Sequence, residues 1–580
     1  MKTNRTSARI ALGLSLAAGL GFLAAVGARA AAPAELLLTH GAIYTVDPAH
    51  PWAQAVAVSG GRIVFVGSDA AAGKWKGPNT KVVDLQGRFV MPGIVDIHQH
   101  PVMGGLKVLF ECKFPFSATP KEVSAAVKAC ADKAPPGAWV RGGQWGSGFF
   151  VQNKIASPRA LLDAVSGNHP VYLYDDSGHN GWANSAALKA AHIDKGTATP
   201  EGGTIQHDAA GEPNGVLLET AARLLDKVIP PPTDEQFLAA AREAVKEGNG
   251  YGIVAMKDAG APSDQAGKAF SKLDKAGDLA MDVAVSARTP YGGRNVPLDY
   301  ASIERQRDLY RSPHVHTEFV KIFLDGVPTE ARTAKMLAPY VADAAHGDHY
   351  TGELHVNPAL LAKDVTELDK RGFTVKMHAA GDGSVRAGLD AVAAARKANG
   401  DSGLHHELAH AGYVDPSDIP RFRQLDVIPD FCPILWYPSP IIDSVVRAVG
   451  PRGEHYWPTR DLLKAGAMVA TGSDWPAAVP DQNPWMGVES LVTRKDPRGI
   501  TPGAFWPEQA VSLAEAIRIY TLNGARALRL EKRIGSIEPG KSAQLIVLDR
   551  NLFRVPASDI GKTRVLMTWF EGKLAYSANP

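Results

Sequence analysis

Eight short apolar runs, most of them followed by a stretch of helical periodicity, constrain this chain more than any other feature. They are Ile94 to His98, Ile253 to Lys257, Met281 to Ser286, Phe319 to Leu324, Phe373 to His378, Leu404 to His410, Val427 to Phe431 and Met468 to Ser473. Between them lie stretches such as "DEQFLAAAREAVKEG", "PALLAKDVTELDKRG" and "SVRAGLDAVAAARKANG", with apolar residues at helical spacing and a Gly at or just past the end. Strands that alternate with helices pair in parallel, and eight of them predict an α/β fold, a (β/α)₈ TIM-like barrel. In such a barrel, functional groups gather at the C-terminal ends of the strands.

The two ends of the chain read differently. "ELLLTHGAIYTVD", "QAVAVSGGRIVFVG" and "KVVDLQGRFVMPG" are β-rich runs broken by turn residues, and "GSIEPGKSAQLIVLDRN" and "RVLMTWFEGKLAY" repeat the pattern near the C-terminus. The expectation is a small β-sandwich built from residues 31–90 and 525–580, flanking a barrel over 91–524. One connection is too long for a loop between a barrel strand and its helix. Residues from 101 to about 233 carry strand-like runs of their own and end in Pro230-Pro231-Pro232, which predicts a subdomain inserted after the first barrel strand, over the mouth.

Lys2, Arg5 and Arg9 precede an uncharged run from Ile10 to Val26 and a small-x-small pattern at Ala28-Arg29-Ala30. Residues 1–30 therefore read as a secretory signal peptide, and the protein as exported, to the periplasm in a Gram-negative host. The rival reading, an uncleaved anchor, is weakened by Gly13, Gly19 and Gly21 and by a run shorter than the roughly 20 residues of a span. No later run is long and apolar, so no stable membrane insertion is expected after cleavage. With 62 basic and 60 acidic residues, the net charge of +2 offers nucleic acid or an acidic membrane no basic surface. The expected partner is a small-molecule substrate, and a homodimer is left open. In an oxidising compartment Cys112 and Cys130 can form a disulfide or remain buried thiols; without a CxxC pair, cysteine is a poor candidate metal ligand.

The chemistry-bearing residues sit at the predicted strand ends. In "MPGIVDIHQHP", His98 and His100 are two apart, so at a strand end both imidazoles point the same way and can share a metal ion. His378 ends "FTVKMHAAGD", His410 ends "LHHELAHAG" and Asp474 ends "MVATGSDWP". A barrel brings these ends around one opening. His405, His406 and Glu407 compete with His410, and by side-chain alternation His406 shares its face. Lys321 interrupts the apolar strand "TEFVKIFLDG": its stem can lie in the core while the amine reaches a surface or pairs with Asp325, or it can do chemistry in place. Trp145 and Trp475 are candidates for an apolar pocket wall or for core.

"MPGIVDIHQHP", "GHNGWANSAAL", "GYGIVAMKDAG", "FVKIFLDG", "VKMHAAGD", "AHAGYVDPSDIPRF", "TGSDWP" and "GSIEPGKSAQLIVLD", in this order, resemble the amidohydrolase superfamily, and within it the family 3 branch of YtcJ-like hydrolases. The resemblance implies that His98 and His100 hold one divalent metal, typically zinc, and His378 and His410 a second. It implies that Lys321 reacts with carbon dioxide to form a carbamate bridging the two, and that Asp474 binds metal and handles the proton of the nucleophilic water. His179 falls in a segment near the pocket in such enzymes, where it binds substrate or orients its carbonyl, or else packs the insert. The activity implied is hydrolysis of a non-peptide carbon–nitrogen bond, an amide or N-acyl group, by a metal-bridged hydroxide. An ester, lactone or carbamate hydrolase using the same groups is the near alternative, and a non-catalytic secreted binding or regulatory protein on this fold the distant one.

Overall fold

The computed structural model describes residues 32–578 apart from 116–117, 147–148, 176–179, 201–202, 261–263, 290–295, 344–345, 434–436 and 478. The expected signal peptide, residues 1–30, and His179 lie outside the described residues. Among those described, no helix is long and apolar enough to cross a membrane.

The eight expected strands are all present and form one parallel sheet in chain order: β1 (Ile94–Gln99), β2 (Ile253–Asp258), β3 (Asp282–Arg288), β4 (Val315–Phe323), β5 (Thr374–Ala379), β6 (Glu407–His410), β7 (Ile428–Phe431) and β8 (Ala470–Thr471). The sheet curls into a nearly closed barrel. At the seam between β8 and β1, Asp474 N donates to His98 O (2.6 Å) and His100 N to Trp475 O (2.7 Å). The buried Asp96 carboxylate adds to the seam, accepting from Ser473 N (3.1 Å) and His98 N (3.0 Å). Inside, Val95, Ile97, Ala255, Ala284, Phe319, Ile428 and Ala470 pack with Ala525, Leu528 and Ile534, so one end of the barrel is a solid apolar plug. Outward-facing residues such as Met256, Val283, Val320, Val375 and Leu408 join the larger core beneath the helices. Two of those helices follow the sequence signals closely. Asp234–Gly250 is opened by a Thr233–Gln236 capping box after the proline run, and Pro358–Lys370 is capped by Asn357.

Both chain ends contribute to two smaller sheets. Leu36–Thr39, Ala55–Ser59, Arg62–Gly67 and Lys81–Asp84 make one; Ala42–Tyr44, Trp52–Ala53 and Phe89–Pro92 join Leu545–Leu548, Val565–Phe570 and Lys573–Ser577 in the other. One apolar cluster draws on both, with Leu36, Val56 and Ile63 from the first and Ile43, Val90, Leu545 and Trp569 from the second. Between β1 and β2 the chain builds a six-stranded mixed sheet from Cys112–Lys113, Val140–Trp145, Val171–Asp175, Gly181–Ala183, Gly203–His207 and Pro213–Glu219. Cys112 and Cys130 form a disulfide that ties this sheet to the helix Pro120–Lys133.

Candidate metal centre

Three departures from regular strand geometry turn the chemistry-bearing side chains into the barrel. Asp96 pairs with Met256 but Gln99 with Asp258, so β1 carries one extra residue. Val95 and Ile97 face the interior, and within the bulge, between Asp96 and Gln99, His98 comes to face it as well, since a bulge re-aims side chains. His410 (φ 69°) and Asp474 (φ 59°) adopt the left-handed conformation that is uncommon outside glycine and that concentrates at functional sites.

His410 also corrects an expectation. Regular alternation would give His406 and His410 one face, but the left-handed backbone turns His410 inward. His406 instead points out of the barrel, with Nε2 3.0 Å from Asp369 and Nδ1 accepting from Val375 N (3.1 Å). His405 pairs with Asp426 at 2.8 Å, and Glu407 is taken by two lysines, Lys257 and Lys376. Of the four competing residues, only His410 joins the cluster.

The cluster is tight. Asp474 Oδ1 lies 3.6 Å from His98 Nε2 and 3.5 Å from His100 Nε2, and Lys321 Nζ lies 3.5 Å from His98 Nε2. The His410 ring centre is 4.9 Å from that of His98 and 4.4 Å from that of His378. His378 Nε2 donates to Gly326 O (2.9 Å), which leaves Nδ1 for the cluster. Burial pushes the His98 and His410 imidazoles well below their ordinary range and His378 down to about 3, with the Lys321 ammonium a further cause. All three are therefore neutral, the state that binds metal.

The donor set fits a divalent cation. Separations of 3.5–3.6 Å between nitrogen and carboxylate oxygen are too long for hydrogen bonds. They match the edge of about 3.4 Å between two ligands that each sit roughly 2.0–2.1 Å from one tetrahedral ion. His98, His410 and Asp474 offer ligand atoms all within 4.8 Å of one another. The same holds for His98, Asp430 and Cys432, but that group is a poorer fit. His98 Nδ1 is already bonded to Asp430 (2.8 Å), and burial pushes the Cys432 thiol up, away from thiolate.

Lys321 differs from two other lysines inside the barrel. Lys257 is paired with Glu407, and Lys376 with Glu407 and Asp430. Among the described residues, no carboxylate lies within ion-pair reach of Lys321, although it is as deeply buried. Asp325, the partner considered from sequence, accepts instead from Lys335 N, Ala380 N, Gly381 N and Ser384 Oγ. Burial, reinforced by the Lys376 charge, pushes the Lys321 ammonium down to about 8.

With this geometry, comparison with known proteins becomes decisive. Residues 81–576 match the model of the amidohydrolase family. The chain belongs to that family. It is 30% identical to Protein LONG AFTER FAR-RED 3 of Arabidopsis thaliana, over 94% of this chain and 92% of that one. It is also 30% identical to the N-substituted formamide deformylase of Arthrobacter pascens, over 93% of this chain and 98% of that one. In fold it resembles the crystal structure of an uncharacterized metal-dependent hydrolase from Pyrococcus horikoshii OT3, at 22% identity and a TM-score of 0.70, over 90% of this chain and 99% of that one. As a member of that family, this protein is an amidohydrolase.

Both aromatic candidates are buried. Trp145 is buried in the insert against Phe150 (4.8 Å between ring centres) and Trp182. Trp475 is buried with Ala244 and Val479 and lies so close over Gly104 that a Cβ there would be 2.2 Å from its ring. Sequence reasoning missed Asp430 and Cys432, both on the inner side of β7 and its end, and the pairing of Lys257, Lys376 and Glu407. The signal was available: "VAMKDAG" and "FTVKMHAAGD" each place a lysine in an apolar strand, as "TEFVKIFLDG" does.

Proposed function

We propose that this amidohydrolase is an exported enzyme that cleaves an amide or N-acyl bond of a small molecule, using two divalent ions, zinc first among the candidates. His98 and His100 would hold one ion and His378 and His410 the other, with carboxylated Lys321 and Asp474 as further ligands. The observation that carries this reading is Lys321: a fully buried lysine with no carboxylate partner among the described residues, 3.5 Å from an imidazole nitrogen that faces Asp474. An ammonium there is costly, and the lowered affinity for its proton favours the free amine. The free amine nitrogen would attack the carbon of carbon dioxide and release a proton to solvent, leaving an N-carboxylate anion on Lys321.

The ions, when bound, polarise the scissile carbonyl and acidify water. His98, His378 and His410 contribute neutral lone pairs beside the His100 ring, with His98 held in place by Asp430 and His378 by the Gly326 carbonyl. Asp474 is placed to accept a proton from the attacking water and return it to the leaving amine. The formamide deformylase relative supports an N-acyl substrate, and the Cys112–Cys130 disulfide supports export. The test is a hydrolysis screen of metal-loaded protein with N-acyl amino acids, formamides and cyclic amides beside matched esters. Amide cleavage that disappears in His98→Ala and Asp474→Asn is expected. Absence of divalent metal from the purified protein, or full turnover in those variants, would sink the reading.

A further inference from the structure

Beneath the cluster the barrel interior holds four charged side chains from four different strands, each at most 1% exposed: Lys257 on β2, Lys376 on β5, Glu407 on β6 and Asp430 on β7. They form one connected chain. Lys257 donates to Ala527 O at the apolar plug (3.1 Å) and pairs with Glu407 Oε1; Glu407 Oε2 lies 2.7 Å from Lys376 Nζ; Lys376 pairs with Asp430 Oδ2. That same Oδ2 is 2.8 Å from His98 Nδ1. Two cations meet two anions, so the chain is neutral as a unit. Replacing such a chain by apolar side chains is often neutral or favourable for stability, so stability alone does not account for its presence.

We propose that Asp430, anchored by Lys376, Glu407 and Lys257, is the positioning residue that sets the orientation and tautomer of His98. His98 stands on a bulge, where the strand ladder is locally disrupted and the backbone fixes its ring less firmly. With Nδ1–H donated to Asp430, the Nε2 lone pair is aimed at Asp474, 3.6 Å away, and toward Lys321. Lys376 and His98 share one carboxylate oxygen, so the lysine prevents that oxygen from following the ring. The anchor runs down to the backbone at Ala527, which makes the placement of His98 a property of the whole barrel. The inference rests on the metal-dependent reading of the site.

Two variants separate positioning from packing. Asp430→Glu keeps every charge and displaces the carboxylate by one methylene. Asp430→Asn combined with Lys376→Met removes one charge of each sign, leaving Lys257 and Glu407 paired. Melting temperatures close to that of the unsubstituted protein are expected for at least one variant. In each variant that folds, affinity for zinc, read by competition with a chromogenic chelator, should fall 10- to 100-fold. The visible spectrum of the cobalt-loaded protein should change as well, a signature that a purely structural role would not move. Unchanged zinc affinity and an unchanged cobalt spectrum in a folded variant overturn the inference and leave the proposed function standing. Failure of the unsubstituted protein to take up zinc or cobalt overturns both.

Discussion

Replacing Lys321 by methionine should make the metal-free protein more stable while abolishing its metal chemistry. Lys321 is fully buried, and burial lowers its ammonium from 10.5 to about 8. At about 1.36 kcal/mol for each tenfold change in proton affinity, holding the charge inside the fold costs about 3 kcal/mol. Between pH 8 and 10.5 the unfolded chain binds more protons at this residue than the folded one. The stability of the unsubstituted protein therefore rises with pH across that window, and the full cost is present below about pH 8. Methionine has a similar length and no charge. Lys321→Met should thus gain up to about 3 kcal/mol near neutral pH, and the gain should fade toward pH 10. The assay is urea denaturation of both proteins after chelation, at neutral and at alkaline pH. Zinc titration in bicarbonate buffer and mass measurement of the metal-loaded forms complete it: only the unsubstituted protein should gain one carboxyl group and bind zinc in full. A variant that is less stable at neutral pH, a gap that does not close as pH rises, or full zinc uptake by the variant would refute the reasoning.

His410→Ala should lose metal and keep the fold, whereas His406→Ala should keep metal stoichiometry and lose about 1–3 kcal/mol, because the buried Val375 N loses its acceptor and Asp369 one of its several hydrogen-bond partners; elemental analysis beside thermal unfolding reads both. Gly472→Ala should open the seam between β8 and β1. Its Cβ would lie 2.3 Å from His98 N and 2.4 Å from Asp96 Oδ1, so a destabilisation of at least about 1–3 kcal/mol and weakened metal binding are expected in the same two assays. Cys112→Ser with Cys130→Ser should cost about 3 kcal/mol, the loop-closure value for residues 18 apart, seen as a lower denaturation midpoint that added reductant no longer shifts.

The barrel was legible because its periodicities are strong. All eight strands lie at their expected places, and the ends drift by a few residues where helix-capping loops or bulges intervene. Site residues were legible only where the strand is regular or where the residue falls past its end. His378 on β5 needs no special geometry, and Lys321 lies in the regular part of β4, beyond the extra residue between His316 and Phe319. His98 and His100 share a direction as their spacing implies, yet that direction is inward only because of an extra residue in β1, which depends on pairing with β2 and leaves no mark in "IVDIHQHP". His410 failed the alternation rule for a related reason: one left-handed residue reverses the face, and nothing in "HHELAHAG" announces it. Trp145 and Trp475 were ambiguous because a tryptophan's place in a core or at a pocket is decided by what packs over it, such as Gly104, more than 350 residues from Trp475 in the chain.

A lysine inside an apolar strand occurs three times here with two outcomes, and what separates them is the partner supplied by neighbouring strands. Lys257 and Lys376 are structural because Glu407 and Asp430, on adjacent or facing strands, pair with them; burial still pushes the Lys257 ammonium down to about 8, whereas Asp430 and Glu407 raise Lys376 against the cost of its burial. Lys321 sits beside Lys376 in strand register, yet its amine meets His98 Nε2 at 3.5 Å and the Phe323 ring in place of a carboxylate, and its neighbour's charge lowers its proton affinity further. The paired lysines thereby shape the unpaired one. Lys376 fastens Asp430, Asp430 holds His98, and Lys376 also disfavours an ammonium at Lys321. One interior cation thus bears on two members of the candidate centre, which is why Lys376→Met alone should perturb both the retention of metal and the proton affinity of Lys321. Its effect should therefore exceed that of Lys257→Met, whose ammonium contacts Glu407, the Ala527 carbonyl and the Phe319 ring; parallel zinc titrations of the two variants would expose an error in this ordering if their affinities proved equal.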